Sequence, residues 1–172
     1  KYGGDIVKII TPLGYLGTAR YFKQTYGLAE SAEELVGIMK DYARSEYENN
    51  VAAKDGVIEA LYALKERGAT LAVLTASPHE ALDPCLKRLG IYGVFDFVWS
   101  SDDFPFTKAN PEIYKEAARR IGANVSDIVF IDDNPGALNA AKKGGVAAVG
   151  VYDRSAEDYI EEIKRDADGY IY

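Results

Sequence analysis

Asp127-Ile-Val-Phe-Ile-Asp132-Asp133-Asn134-Pro135-Gly136 is the stretch on which the fold of this 172-residue chain turns. Ile128 to Ile131 is a short continuous apolar run, the pattern of a buried parallel strand. It stops at two adjacent carboxylates. Asn134 is suited to cap a helix, Pro135 to its first turn, and Lys142, Lys143 and Gly144 to its close. Acids side by side at the carboxyl end of a core strand repel each other and lose hydration, so a cation is expected to offset them. Hard oxygen ligands suit Mg²⁺, which one or two carboxylates hold together with substrate phosphate. The plain alternative is that both acids only cap the helix that follows.

Outward from this stretch, strands and helices alternate from Ala53 onward. Asp55-Gly-Val57 opens a helix with Val57, Ile58, Leu61 and Leu64 facing inward, ended by Arg67-Gly68. A strand over Thr70 to Leu74 and a helix from Pro78 to about Arg88 follow. Next come a strand near Val94 to Trp99, an irregular loop from Ser100 to Thr107, and a helix between Asn110-Pro111 and Arg119-Arg120-Gly122. Beyond the strand and helix already described lie a strand from Val146 to Val151, a helix near Ala156 to Lys164, and a short edge strand in Gly169-Tyr-Ile-Tyr172. The predicted class is α/β, a doubly wound parallel sheet. Ligands in such folds bind beyond the carboxyl ends of strands, where strand order reverses.

Residues 1 to 52 differ from the rest: they read as wholly helical. Ile6, Ile9 and Ile10 form a short apolar face that Pro12 interrupts. Tyr21, Phe22 and Tyr26 form another before Gly27. Ser31-Ala-Glu-Glu34 has the spacing of a capping box, and the next helix repeats apolar residues at Leu35, Ile38, Met39 and Tyr42. So small a bundle buries little alone and is expected to dock on something else. The division is therefore a helical domain over residues 1–52 and an α/β core over residues 53–172.

Two further places carry polar groups to strand ends. Thr75 ends the strand Leu71-Ala-Val-Leu, where its hydroxyl and the Ala76 N–H are placed to grip an oxyanion. Ser77-Pro78-His79-Glu80 then has capping-box spacing and aims a helix amino terminus at the same region. Lys108, in Thr107-Lys-Ala-Asn-Pro111, sits just ahead of a helix amino terminus, where a cation is unfavourable. A charge kept there suggests a task such as screening carboxylates or holding phosphate. Ordinary turn formation and a solvated lysine are the respective alternatives. His79, the one histidine, is expected to be solvated at its helix start. Cys85 is expected to be a packed thiol.

Composition removes several classes of function. A net charge of −7 argues against long contacts with nucleic acid or anionic lipid. No apolar run reaches ~18 residues, so no membrane-spanning helix is expected. A single cysteine forms no internal disulfide and fits the cytoplasm. One cysteine and one histidine build no Cys/His metal cluster. Neither a nucleophile elbow nor a Gly-x-Gly-x-x-Gly after a strand is present.

Thr75, Lys108 and Asp132-Asp133 stand in the order and spacing of the later motifs of haloacid dehalogenase-like phosphohydrolases, and Gly56 to Gly68 resembles that family's approach to its second strand. The resemblance covers about residues 53 to 151. Residues 1–52 look like the family's small helical cap, and the subgroup it most resembles holds phosphoglucomutase-like and phosphoglycolate-phosphatase-like members. Ala109 departs from the proline common there. The resemblance implies a Rossmann-like core and Mg²⁺-dependent hydrolysis of a small phosphorylated metabolite through an aspartyl-phosphate, by a monomer or homodimer. It implies that Thr75 and the Ala76 N–H bind phosphoryl oxygens. Lys108 would neutralise nucleophile and phosphate, and Asp133, with Asp132, would hold Mg²⁺ directly or through water. A phosphomutase, a carbon dehalogenase of the same fold and a non-catalytic phosphate-binding or regulatory protein are the alternatives. A signalling receiver domain carries its acids early and its lysine late, the reverse of the order here.

The family's first motif, an apolar strand ending in Asp-x-Asp-x-Thr, is nowhere in residues 1–172, and Asp5 after Lys1-Tyr-Gly-Gly does not replace it. In family topology that strand lies between those ending at Thr75 and at Asp132-Asp133. The polypeptide is accordingly expected to extend upstream of Lys1 by on the order of 10 to 25 residues, the length of a strand and turn.

Overall fold

The computed structural model describes residues 6–10 and 13–172, so the break expected at Pro12 and the region around Asp5 lie outside the described residues. In chain order the elements are α1 (Ile6–Ile10), α2 (Gly14–Tyr26), α3 (Ala32–Asn49), α4 (Val57–Glu66), β1 (Ala72–Thr75), α5 (His79–Arg88) and β2 (Phe97–Ser100). They continue as α6 (Glu112–Ile121), β3 (Val129–Asp132), α7 (Pro135–Lys143), β4 (Ala147–Val151), α8 (Ile160–Asp166) and β5 (Gly169–Ile171). The chain divides into two compact units, Lys1–Arg67 with Glu80–Val94, and Gly68–His79 with Phe95–Tyr172.

The first unit is helical. Gly27 leaves α2 at φ 65°, a left-handed exit that glycine adopts without strain. Lys23 Nζ donates to the carbonyls of Leu28, Ala29 and Glu30, satisfying the turn toward α3. The predicted capping box is present: Ser31 Oγ accepts the Glu34 N–H, and the Glu34 carboxylate accepts the Ser31 N–H at 2.7 Å. Burial is thinner than the apolar spacing predicts. Leu35 is buried, whereas Ile38 is 56% and Tyr42 67% exposed. The inward face expected for α4 is likewise open, with no buried residue and with Val57 and Leu64 exposed. Its neighbour is the short 3-10 turn Tyr92–Val94, too small to cover a helix flank. α5 is the best-packed helix of this unit, burying Ala81, Leu82, Leu86 and the Cys85 thiol. Arg88 at its end donates to the carbonyls of Tyr47 and Val51, closing the last turn of α3.

The second unit is the α/β part. β1 and β2 pair in parallel with Thr75 opposite Ser100. β3, β4 and β5 form a separate parallel sheet with Asp132 opposite Gly150, and Gly150 opposite Tyr170. One core backs both sheets: Ile113, Leu138, Ala141, Ala148 and Ile163 are buried, with Leu74, Trp99 and Phe130 packed against them. Among the described residues, no strand pairs with the edge of β1 away from β2 or the edge of β3 away from β4. β3 is not buried on both faces as its apolar run predicts. Phe130 packs on the core, whereas Val129 is 58% and Ile131 50% exposed. β2 starts at Phe97 rather than Val94, because Val94 closes a 3-10 turn. The chain joins the sheet only where Asp96 and Phe97 N–H both reach Leu71 O.

The helix caps follow the sequence. Asn110 Oδ1 accepts the Glu112 N–H at 3.0 Å ahead of α6. Asn134 Oδ1 accepts the Ala137 N–H at 3.0 Å ahead of α7. Gly150 is required by crowding: a Cβ there would collide with Ile163 Cγ2 and the Tyr170 ring. Among the described residues, no helix is long and apolar enough to cross a membrane.

Candidate functional site

Of the polar residues singled out by sequence, Thr75 ends β1, Asp132 ends β3 and Lys108 lies on the loop after β2. Asp132 is the last residue of β3, and its side chain is 10% exposed. Its Oδ2 is 2.6 Å from Lys108 Nζ, and its Oδ1 accepts the Asn134 N–H at 2.8 Å. Lys108 arrives from the loop after β2 and lies with its ammonium 5.6 Å from the Phe130 ring centroid. The lysine that is unfavourable at a helix start is thus paid back by a carboxylate from the neighbouring sheet. Tyr114 stands beneath this pair, 3% exposed, its ring edge-on to Phe130. Burial, and then the charge of Asp132, push its phenol above its ordinary pKa, so the hydroxyl remains a donor.

Asp133 is in a different state. Burial raises its carboxyl pKa first, then the charges of Asp132 and Asp153, and the attraction of Lys108 does not cancel them. Such a carboxylate is one that a bound cation would relieve. Among the described residues, no three His, Cys, Asp or Glu side chains gather to form a metal cage. Mg²⁺ does not need one, since it keeps water and phosphate in its shell and takes one or two carboxylates. Asp133 fits that requirement. Asp132, with both oxygens already hydrogen-bonded, is better placed to act through water.

Thr75 ends β1, and its Oγ1 accepts the Ser77 N–H at 3.1 Å, a hydroxyl turn that fixes the side chain at the strand end. Ala76 is exposed beside it. Among the described residues no hydrogen bond joins Thr75 to Lys108 or the tandem acids, which stand on the other sheet. One link was not foreseen. His79, expected to be solvated, has Nε2 2.8 Å from Asp103 Oδ2, and the same oxygen accepts the Ser100 N–H at 3.0 Å. This joins the turn after β1 to the turn after β2. Ser100 and Asp103 stand three residues apart in capping-box spacing, the signal that would have placed Asp103 there.

Fold and site together define a parallel α/β protein that collects its charged groups at strand carboxyl ends. Residues 5–145 match the haloacid dehalogenase-like hydrolase family, and the chain belongs to it. Pyrophosphatase PpaX of Halalkalibacterium halodurans is 30% identical over 138 residues, 80% of this chain and 64% of that protein. (S)-2-haloacid dehalogenase 4A of Burkholderia cepacia is 33% identical over 111 residues, 64% of this chain and 48% of that protein. The chain thus spans under two thirds of the length of these curated relatives. The structure of CbbY from Rhodobacter sphaeroides in complex with phosphate superposes with a TM-score of 0.75 at 19% identity. That match covers 95% of this chain and 75% of the other, and is a likeness of fold.

Proposed function

We propose that the strand ends of the second unit bind the phosphoryl group of a small phosphorylated metabolite together with Mg²⁺, and that the whole protein is a phosphatase. The observation that carries this reading is the Lys108–Asp132 pair set beside the crowded carboxyl of Asp133. In this reading the Thr75 hydroxyl and the Ala76 N–H donate to phosphoryl oxygens. Lys108 lends positive charge to the phosphoryl group while holding Asp132 in place. Asp133, with Asp132 through water, holds the metal, which when bound neutralises charge on the phosphoryl oxygens. Phosphoryl transfer depends mainly on positioning and charge stabilisation, which these groups supply.

Two of the relatives bear on the substrate, one a pyrophosphatase and one a haloacid dehalogenase. The tandem acids favour phosphate, because displacing halide from carbon offers no phosphoryl charge for a metal to share. In this proposal residues 1–52 are the cap that selects the metabolite and residues 53–172 are the hydrolase core. The protein works in the cytoplasm as a monomer or homodimer. The test is turnover of an aryl phosphate and a panel of phosphate esters by the complete protein, with and without Mg²⁺. Metal-dependent release of phosphate is expected; its absence across the panel overturns the reading.

The alternative is a phosphate-binding or regulatory protein of the same fold that does not turn substrate over. Calorimetry showing Mg²⁺-dependent phosphate binding, with no hydrolysis by the complete protein, is the outcome that selects it.

A further inference from the structure

Tyr114 is buried in the α6 face of the core, yet its hydroxyl does not serve the core. It is 2.8 Å from the carbonyl of Lys108 and 2.9 Å from the carbonyl of Ala137. Lys108 lies on the loop after β2, and Ala137 lies in the first turn of α7, immediately after Asp132-Asp133-Asn134. One proton is shared between two backbone segments that each deliver a charged side chain to the site. The ring is fixed independently, 4.9 Å from the Phe130 centroid in an edge-on contact. Phe130 is also the ring beside which the Lys108 ammonium rests. A buried hydroxyl with no site to serve costs desolvation that phenylalanine avoids. Here it bridges the lysine loop and the first turn of α7.

We infer that Tyr114 is a positioning residue whose hydroxyl holds the Lys108 loop against the first turn of α7 and so sets the ammonium for phosphate. The inference rests on the phosphate-binding reading above and extends it to a residue that touches neither phosphate nor metal. The bond to Lys108 O ties the loop to Tyr114, the bond to Ala137 O ties Tyr114 to the first turn of α7, and the contact with Phe130 fixes the ring between them. Without the hydroxyl, the Lys108 loop loses its tether to the first turn of α7, and the ammonium is held at the phosphate position less firmly.

The experiment compares the full chain, Tyr114→Phe and Ile163→Val. Ile163 is 2% exposed in the same core and lies outside the site, so its valine variant serves as a control for packing loss. Inorganic phosphate binding in the presence of Mg²⁺ is followed by phosphorus NMR titration well below the unfolding temperature, and thermal unfolding is recorded alongside. Tyr114→Phe is expected to weaken phosphate binding about three- to tenfold, the size of one hydrogen bond's effect. Ile163→Val should lower the unfolding temperature and leave phosphate affinity within about twofold of the parent, as expected for a site it does not touch. Equal phosphate affinity in the parent and Tyr114→Phe overturns the positioning role alone. Parallel losses in both variants assign Tyr114 to packing and overturn it too. A parent chain that binds no phosphate overturns the functional reading, and this inference with it.

Discussion

Lys108 Nζ and Asp132 Oδ2 stand 2.6 Å apart, with side chains only 21% and 10% exposed, although 24 residues separate them in the chain. Among the described residues, Asp41–Arg44, Glu112–Lys115 and Glu116–Arg119 are surface contacts within one helix turn, worth little after solvent screening. This one joins the loop after β2 to the end of β3. Lys108→Met would leave Asp132 with the Asn134 N–H as its remaining hydrogen bond. The expected cost is about 1–3 kcal/mol of stability, the penalty for a buried charged group losing its partner. Denaturant unfolding measures it, and phosphate affinity should fall in the same variant.

The carboxyl of Asp133 gives a pH prediction of opposite sign to the usual acid. Its folded pKa is raised above 3.8 by burial and by Asp132 and Asp153. The folded state therefore binds more protons than the unfolded chain between 3.8 and the raised value, so stability falls as pH rises through that window. Asp133→Asn in metal-free buffer should thus unfold at a higher temperature than the parent at pH 7. The advantage should shrink as pH is lowered through the window. Thermal unfolding from pH 4 to 8 in EDTA checks both statements.

Mg²⁺ should reverse that order. A cation bound to the folded state at about 100 times its Kd stabilises by about 2.7 kcal/mol. The parent should gain with added Mg²⁺ and Asp133→Asn should not. A matching gain in both proteins, read by calorimetric unfolding, would detach the metal from Asp133.

Thr75→Val keeps the shape of the side chain and removes the oxygen that accepts the Ser77 N–H. The turn after β1 then loses its closure and the proposed phosphate contact together. Phosphate affinity should drop about ten- to a hundredfold, the yield of one lost hydrogen bond to a charged group. A titration monitored by calorimetry provides the number.

Gly150 gives a prediction independent of function. Its Cα faces Ile163 and the Tyr170 ring so closely that a methyl has no room. Gly150→Ala should destabilise by about 1–3 kcal/mol through overpacking. Chemical unfolding tests this, and the slope of the transition should remain that of the parent.

Much of this architecture was legible because local signals and global fold agree. The Ser31–Glu34 capping box, the Asn110 and Asn134 caps and the glycine exits are short-range chemistry, and they form as spaced. The Lys108–Asp132 contact was legible only through its awkwardness, a cation placed where a helix dipole opposes it. The rest was hidden for a physical reason: an apolar pattern marks a face without saying what covers it. Ile128 to Ile131 reads as buried on both sides, yet Val129 and Ile131 are half exposed. Ile38, Tyr42, Val57 and Leu64 likewise keep helical spacing without burial. The His79–Asp103 link joins residues 24 apart through a turn whose path periodicity does not describe.

The central claim is that Thr75, Lys108 and Asp133 address one phosphoryl–metal pair although they come from three separate segments. A crystal structure of the complete protein grown with inorganic phosphate and Mn²⁺, whose anomalous signal locates the ion, tests it most directly. The account predicts the ion on the Asp133 carboxylate and the phosphate against Thr75 Oγ1 and Lys108 Nζ. A metal peak elsewhere, or Thr75 and Lys108 turned toward different edges with phosphate on neither, would contradict it.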